Sequence, residues 1–89
     1  MGEVTRIEYS RKFLKQAAKL PAPIIDQAQN KEVIFKANPF DARLGTHKLH
    51  GKDRELWAFS ITDSYRIKFS FTKDGVVLFL EIGTHEIYK

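Results

Sequence analysis

The sequence predicts an α+β fold: an N-terminal strand and a two-helix hairpin packed on a mainly antiparallel sheet, in the order β-α-α-β-β-β. Three observations carry this reading. Residues 4–10, 56–61 and 65–71 alternate along the chain with the period of a strand. Residues 11–37 contain two stretches at helical spacing, divided by Pro21 and Pro23. The last three strand-like runs are separated only by "TDS" and "TKDG", which leave room for hairpin turns and nothing longer.

The elements follow in order. In "VTRIEYS", Thr5, Ile7 and Tyr9 share one side and Val4, Arg6 and Glu8 the other. Ser10 is a helix N-cap residue. "RKFLKQAAKL" then places Phe13, Leu14, Ala17, Ala18 and Leu20 at helical spacing among lysines, up to the break at Pro21. A second helix over Ala22–Ala37 carries Ile24, Ala28 and Phe35 on one stripe, widened by Ile25 and Ile34. Asn38-Pro39 ends it. A polar loop, "DARLGTHKLHGKDRE", leads to the strands "LWAFSI", "YRIKFSF" and "VVLFLEI". Trp57 and Tyr65 are expected to pack under the helices. The last strand is apolar on both sides, as a strand inside a sheet should be. Asp74-Gly75 marks the turn before it.

At 89 residues the chain is read as one small domain, 1–89. It has no cysteine, which excludes a disulfide framework and a thiolate nucleophile and suits a reducing cytoplasm. The opening residues lack the apolar run of a signal peptide, and "VVLFL" is far too short to cross a bilayer, so no membrane is expected. A formal charge of +4 favours an anionic partner such as RNA, although ordinary solubility accounts for a charge of this size equally well.

Alternation leaves Ser60, Arg66, Lys68 and Glu81 on one face of the sheet. If the last strand stays extended through Gly83, His85 falls on that face too, and the meander brings it near Arg66. Arg66 has two candidate partners there: Glu81 across the sheet, or a bound phosphate, whose oxygens its planar fork matches. His47 and His50 lie in the preceding loop. Their spacing, i and i+3 with no third ligand nearby, does not make a metal site, and neither metal nor cofactor is expected. Imidazole titrates near neutral pH and serves as acid or base. RNA supplies its own nucleophile, the 2′-hydroxyl. Histidines beside an arginine therefore fit RNA cleavage, while solvated surface histidines fit the same pattern.

The element order, the block "LHGKDRELWAFSITDSYRIKF" and the closing "EIGTHEIY" together resemble the RelE/ParE toxin superfamily of type II toxin–antitoxin systems. The "GTH" ending is most like the YafQ branch of mRNA interferases. The resemblance implies a RelE-like fold and a ribosome-dependent mRNA endoribonuclease that works by 2′-OH attack without metal. It implies three partners: a cognate antitoxin, in a hetero-oligomer with the toxin, the ribosome and mRNA. By position, Arg66 matches the phosphate-contacting arginine and His85 the terminal acid–base residue. Tyr88 resembles the tyrosine near the end of RelE-type chains, and His47 the loop histidine of the YafQ type. Lys48, Lys52, Arg54 and Lys68 are the cations expected to meet RNA. The chain departs from the pattern where RelE-type enzymes carry strand lysines, since Ala58 and Ser60 stand there. Around this turn, where the YafQ type has a histidine and an aspartate, the nearest matches are Ser60 and Ser64, with Asp63 one residue away. Two alternatives remain: a non-catalytic ParE-like toxin that inhibits DNA gyrase, and an inactive relic that only binds an antitoxin.

Overall fold

The computed structural model describes residues 4–51 and 55–88. Strand β1 (Arg6–Tyr9) is followed by helices α1 (Arg11–Ala17) and α2 (Ala22–Ala37). Strands β2 (His47–Lys48), β3 (Trp57–Ser60), β4 (Arg66–Phe71) and β5 (Val76–Gly83) come next. Single 3-10 turns occupy Ala42–Leu44 and His85–Tyr88. The strands form a five-stranded sheet in the order β1-β5-β4-β3-β2. β1 runs parallel to β5, and the other pairs are antiparallel. This is the predicted α+β architecture. β2, only two residues long, lies inside the stretch read from sequence as loop.

Local chemistry sets the boundaries. The Ser10 hydroxyl accepts from the Phe13 amide and caps α1. α1 stops at Ala17, three residues short of the predicted end. Leu20 precedes Pro21 and is pushed out of helical geometry. The Lys19 and Leu20 amides instead donate to the Gln16 and Ala17 carbonyls in a tightened last turn. Pro23 lies in the first turn of α2, where its missing N–H costs nothing. The β4–β5 hairpin turns through Asp74 (φ 61) and Gly75 (φ 77). Two consecutive left-handed residues match the twist of the strands they join.

α1 and α2 cover one face of the sheet. At the centre of that face Phe35 lies 5.0 Å from Phe59, 4.9 Å from Phe69 and 5.4 Å from Phe79, ring centre to ring centre. All four rings are completely buried. Leu44, Ile61, Ile67, Val77 and Ile82 extend this core, and Trp57 and Tyr65 pack against it half-buried, on the side predicted. Leu14 shares the helical spacing of Phe13 yet lies largely exposed.

A bulge decides what the other face holds. Phe69 pairs with Phe79, but Lys68 pairs with Glu81, so Leu80 is an extra residue in β5. Without it, Glu81 would share the helix side with Val77 and Phe79. With it, Ile82 faces the helices and Glu81 faces away. The bulge coincides with the end of β1. There the Ser10 amide donates to the Phe79 carbonyl at 2.9 Å and the Ser10 hydroxyl to the Leu80 carbonyl at 2.7 Å. Beyond that point α1 replaces β1 as the neighbour of β5, and the Gln16 side-chain carbonyl accepts from the Ile82 amide at 2.9 Å.

Candidate active site

Register places the side chains of the second face. Ser60 lies opposite Arg66, and Arg66 opposite Gly83; His47 lies opposite Ala58, Ala58 opposite Lys68, and Lys68 opposite Glu81. Residues directly opposite one another point to the same side. His47, Ala58, Ser60, Arg66, Lys68 and Glu81 therefore share the face away from the helices. The predicted grouping of Ser60, Arg66, Lys68 and Glu81 is observed.

This face is not simply open. After Gly83 the chain folds back as the turn His85–Tyr88 and lays Ile87, which is buried, against the sheet. A Cβ at Gly83 would come within 2.9 Å of the Ile87 Cγ2 methyl. Glycine is needed at 83 for this close approach, and not for a left-handed turn. Ala58, on this face, is completely buried.

The turn brings the predicted acid–base residues together around Tyr88. Its ring centre lies 5.8 Å from that of His85 and 6.4 Å from that of His47, edge to face in both cases. Both histidines are exposed, and His47 Nδ1 lies 3.0 Å from the Gly45 carbonyl. The Tyr88 hydroxyl is buried and has no hydrogen-bond partner among the described residues. Burial pushes its pKa up; the Arg66 guanidinium, near enough to act on the phenol but outside hydrogen-bond geometry, pulls it down; burial prevails. The phenol is therefore protonated at neutral pH. Arg66 itself is half-buried, with Nη1 donating to the Thr62 and Tyr65 carbonyls of the β3–β4 turn. These bonds hold the guanidinium at the rim of the face, beside the phenol.

Arg66 does not pair with Glu81. The Glu81 carboxylate instead takes Lys68 Nζ at 2.8 Å and Lys12 Nζ at 3.2 Å, with the Gln16 amide at 3.3 Å. Burial pushes this carboxyl up, but the hydrogen bonds from Lys68 and Lys12, the charge of Lys68 and the bond from Gln16 outweigh it and leave the pKa below its ordinary value.

The predicted RNA-facing cations fare differently. Lys68, expected on the surface, is buried, and its ammonium is held by Glu81 and by the Ile87 carbonyl at 2.9 Å. Sequence parity identified its face but not the turn that covers it. Lys48 is exposed, yet its strand neighbour is Trp57, so it projects to the helix side, with Nζ 6.0 Å from the Trp57 ring centre. His47 and Lys48 are adjacent in sequence and part to opposite faces. Lys52 and Arg54 lie outside the described residues. His50 is exposed, and among the described residues no three His, Cys, Asp or Glu side chains gather as a metal site. The residue that sequence reasoning missed is Ile87. Its one signal was its place two residues after His85, as the lone aliphatic of the polar tail.

No protein-family profile matches the sequence, and no curated protein does. Solved structures do match. YafQ from E. coli strain BL21(DE3) superposes with a TM-score of 0.76 at 19% identity, over 92% of this chain and 94% of that one. The YoeB/ParE toxin from Agrobacterium tumefaciens gives 0.79 at 14% identity, over 91% and 99%. A chain of the archaeal RelE–RelB complex from Pyrococcus horikoshii OT3 gives 0.73 at 21% identity, over 91% and 94%. Likeness across nearly the whole length, at such low identity, is likeness of fold. The chain thus has the RelE/ParE toxin fold, shared with the YafQ, YoeB/ParE and RelE toxins.

Proposed function

We propose that the protein is the toxin of a type II toxin–antitoxin pair and a ribosome-dependent mRNA endoribonuclease. The observation that carries this reading is the gathering of His85, His47 and Arg66 around the Tyr88 phenol, on a fold shared with YafQ and RelE toxins. A neutral His85 imidazole takes the proton of the 2′-hydroxyl, and the 2′-oxygen attacks phosphorus. The bond from phosphorus to the 5′-oxygen breaks, and the leaving oxygen takes a proton from the Tyr88 phenol. The products are a 2′,3′-cyclic phosphate and a 5′-hydroxyl. A leaving alkoxide is a far stronger base than a phenolate, so a phenol kept protonated by its surroundings suffices as donor. Arg66 holds the non-bridging oxygens, where charge grows in the transition state. His47, on the other side of the phenol, supports the proton transfer. Partner choice follows the same reading: the matched DinJ–YafQ structure is a toxin–antitoxin complex and the matched RelE is held in a complex with RelB, and an antitoxin is the expected partner here.

The test is His85→Ala, with ribosome-bound mRNA as substrate. His85 is exposed, so the fold should survive the change. Cleavage should fall by about 10²–10⁴-fold, the usual worth of a general acid or base. Cleavage at the parent rate would remove His85 from the mechanism. The ParE-like alternative draws on the likeness to the YoeB/ParE toxin and on the neutral Ala58 and Ser60 of β3. Intact messages together with inhibited DNA gyrase would decide for it.

A further inference from the structure

We infer that Lys68 is a positioning residue: its buried ammonium latches the turn carrying His85 and Tyr88 to the sheet. For catalysis this rests on the ribonuclease reading, but the latch itself has an independent readout.

The turn His85–Tyr88 spans four residues, too few for a helix that stands alone. The bond that enters it from the strand side runs from the Ile87 N–H to the Thr84 carbonyl at 3.1 Å. Something outside the turn must fix it. Besides the edge-to-face contact of Tyr88 with His47, two contacts at Ile87 do so: its side chain against Gly83, and its carbonyl accepting from Lys68 Nζ at 2.9 Å. Ile87 stands between His85 and Tyr88, so the bond to its carbonyl sets the place of both. Lys68 is in turn fixed by Glu81, and Glu81 by Lys12 and Gln16 of α1. The chain of bonds thus reaches from the first helix to the last turn.

The Lys68–Glu81 pair is mostly buried, with side-chain exposures of 8% and 14%. Such a pair contributes little net stability, because an apolar pair of similar size often serves as well. What an apolar pair cannot do is donate to the Ile87 carbonyl. A buried lysine at 68 is therefore better accounted for by where it puts the turn than by how firmly it holds the fold.

Lys68→Met alone leaves Glu81 with Lys12 and Gln16 and removes the bond to Ile87. Lys68→Met with Glu81→Gln removes both buried charges and keeps the volume. The second variant should melt close to the parent protein, which separates stability from position. In both variants the Ile87 amide should exchange with solvent about tenfold faster or more, relative to the Phe69 amide of β4. On ribosome-bound mRNA, kcat should fall by about tenfold or more while KM stays within a few-fold, because misplaced groups lose transition-state contacts first. Parent-like exchange at Ile87 in the double variant overturns the latch. Faster exchange with unchanged kcat overturns its role in catalysis. A parent protein that cleaves no RNA defeats the ribonuclease reading, and the exchange measurement then decides the latch alone.

Discussion

The two faces of the sheet are filled by opposite means. On the helix side, Phe35, Phe59, Phe69 and Phe79 exclude water by sheer area, their rings in contact across three strands and a helix. On the other side, β3, β4 and β5 present an alanine, a lysine and a glutamate, and the lysine bonds both the glutamate and the carbonyl of an isoleucine in a four-residue turn. Apolar burial is non-directional and tolerates small shifts. A lysine that must reach both a carboxylate and one carbonyl tolerates few. The first face therefore secures the fold, and the second holds a small group of ionisable side chains in one arrangement.

The largest effect expected from this contrast is at Phe35. Phe35→Ala empties the middle of the helix side and should cost about 3–5 kcal/mol, as measured by urea unfolding. For a domain of this size that is a large part of the whole stability. A loss below about 1 kcal/mol would mean that the aromatic cluster does not carry the fold, and the contrast between the faces would fail.

A middling effect is expected at Ser10, which joins the two faces. Its hydroxyl caps α1 and also satisfies the Leu80 carbonyl at the bulge. Ser10→Ala should cost about 1–2 kcal/mol, since it removes a cap and strands a part-buried carbonyl. The bulge directs Glu81 to Lys68, so the same change should also speed amide exchange at Ile82 more than at Val77. Equal exchange at the two would show that the bulge holds without Ser10.

The helix side was the legible one. Period two in "YRIKFSF" and helical spacing up to Phe35 name its residues directly, and Asp74-Gly75 names its hairpin. Both rules are local, and burial on that face obeys them except at Leu14, which the helical spacing names and the fold leaves exposed. The other face was legible only in part. Strand parity groups Arg66 with Lys68 and Ser60, and the hairpins bring the C-terminal end near Arg66. Three things lay beyond it. The bulge at Leu80 is fixed by Ser10, seventy residues away in sequence. β2 is too short for any pattern to reveal, so nothing signalled that His47 and Lys48 would point to opposite sides. Parity also says which face a lysine takes but not what lies over it, so the burial of Lys68 has no local signal.

The smallest effect, and the sharpest for the comparison, is in acid. The Glu81 carboxyl of the folded protein lies below its ordinary pKa, so the unfolded chain takes up a proton there first as pH falls. Its contribution to stability is whole above the ordinary carboxylate range and is lost as pH drops through the folded value. Glu81→Gln removes that titration. Between neutral pH and about pH 3, the variant should lose less stability than the parent in parallel urea titrations. The helix side contains no titrating group among its buried residues, so nothing there should alter the difference. If parent and variant lose stability in parallel, the Lys68–Glu81 bond is not formed as drawn. The ammonium would then be free to leave Ile87, and the turn would be held by the Ile87 side chain and the Tyr88 ring without the bond to Lys68.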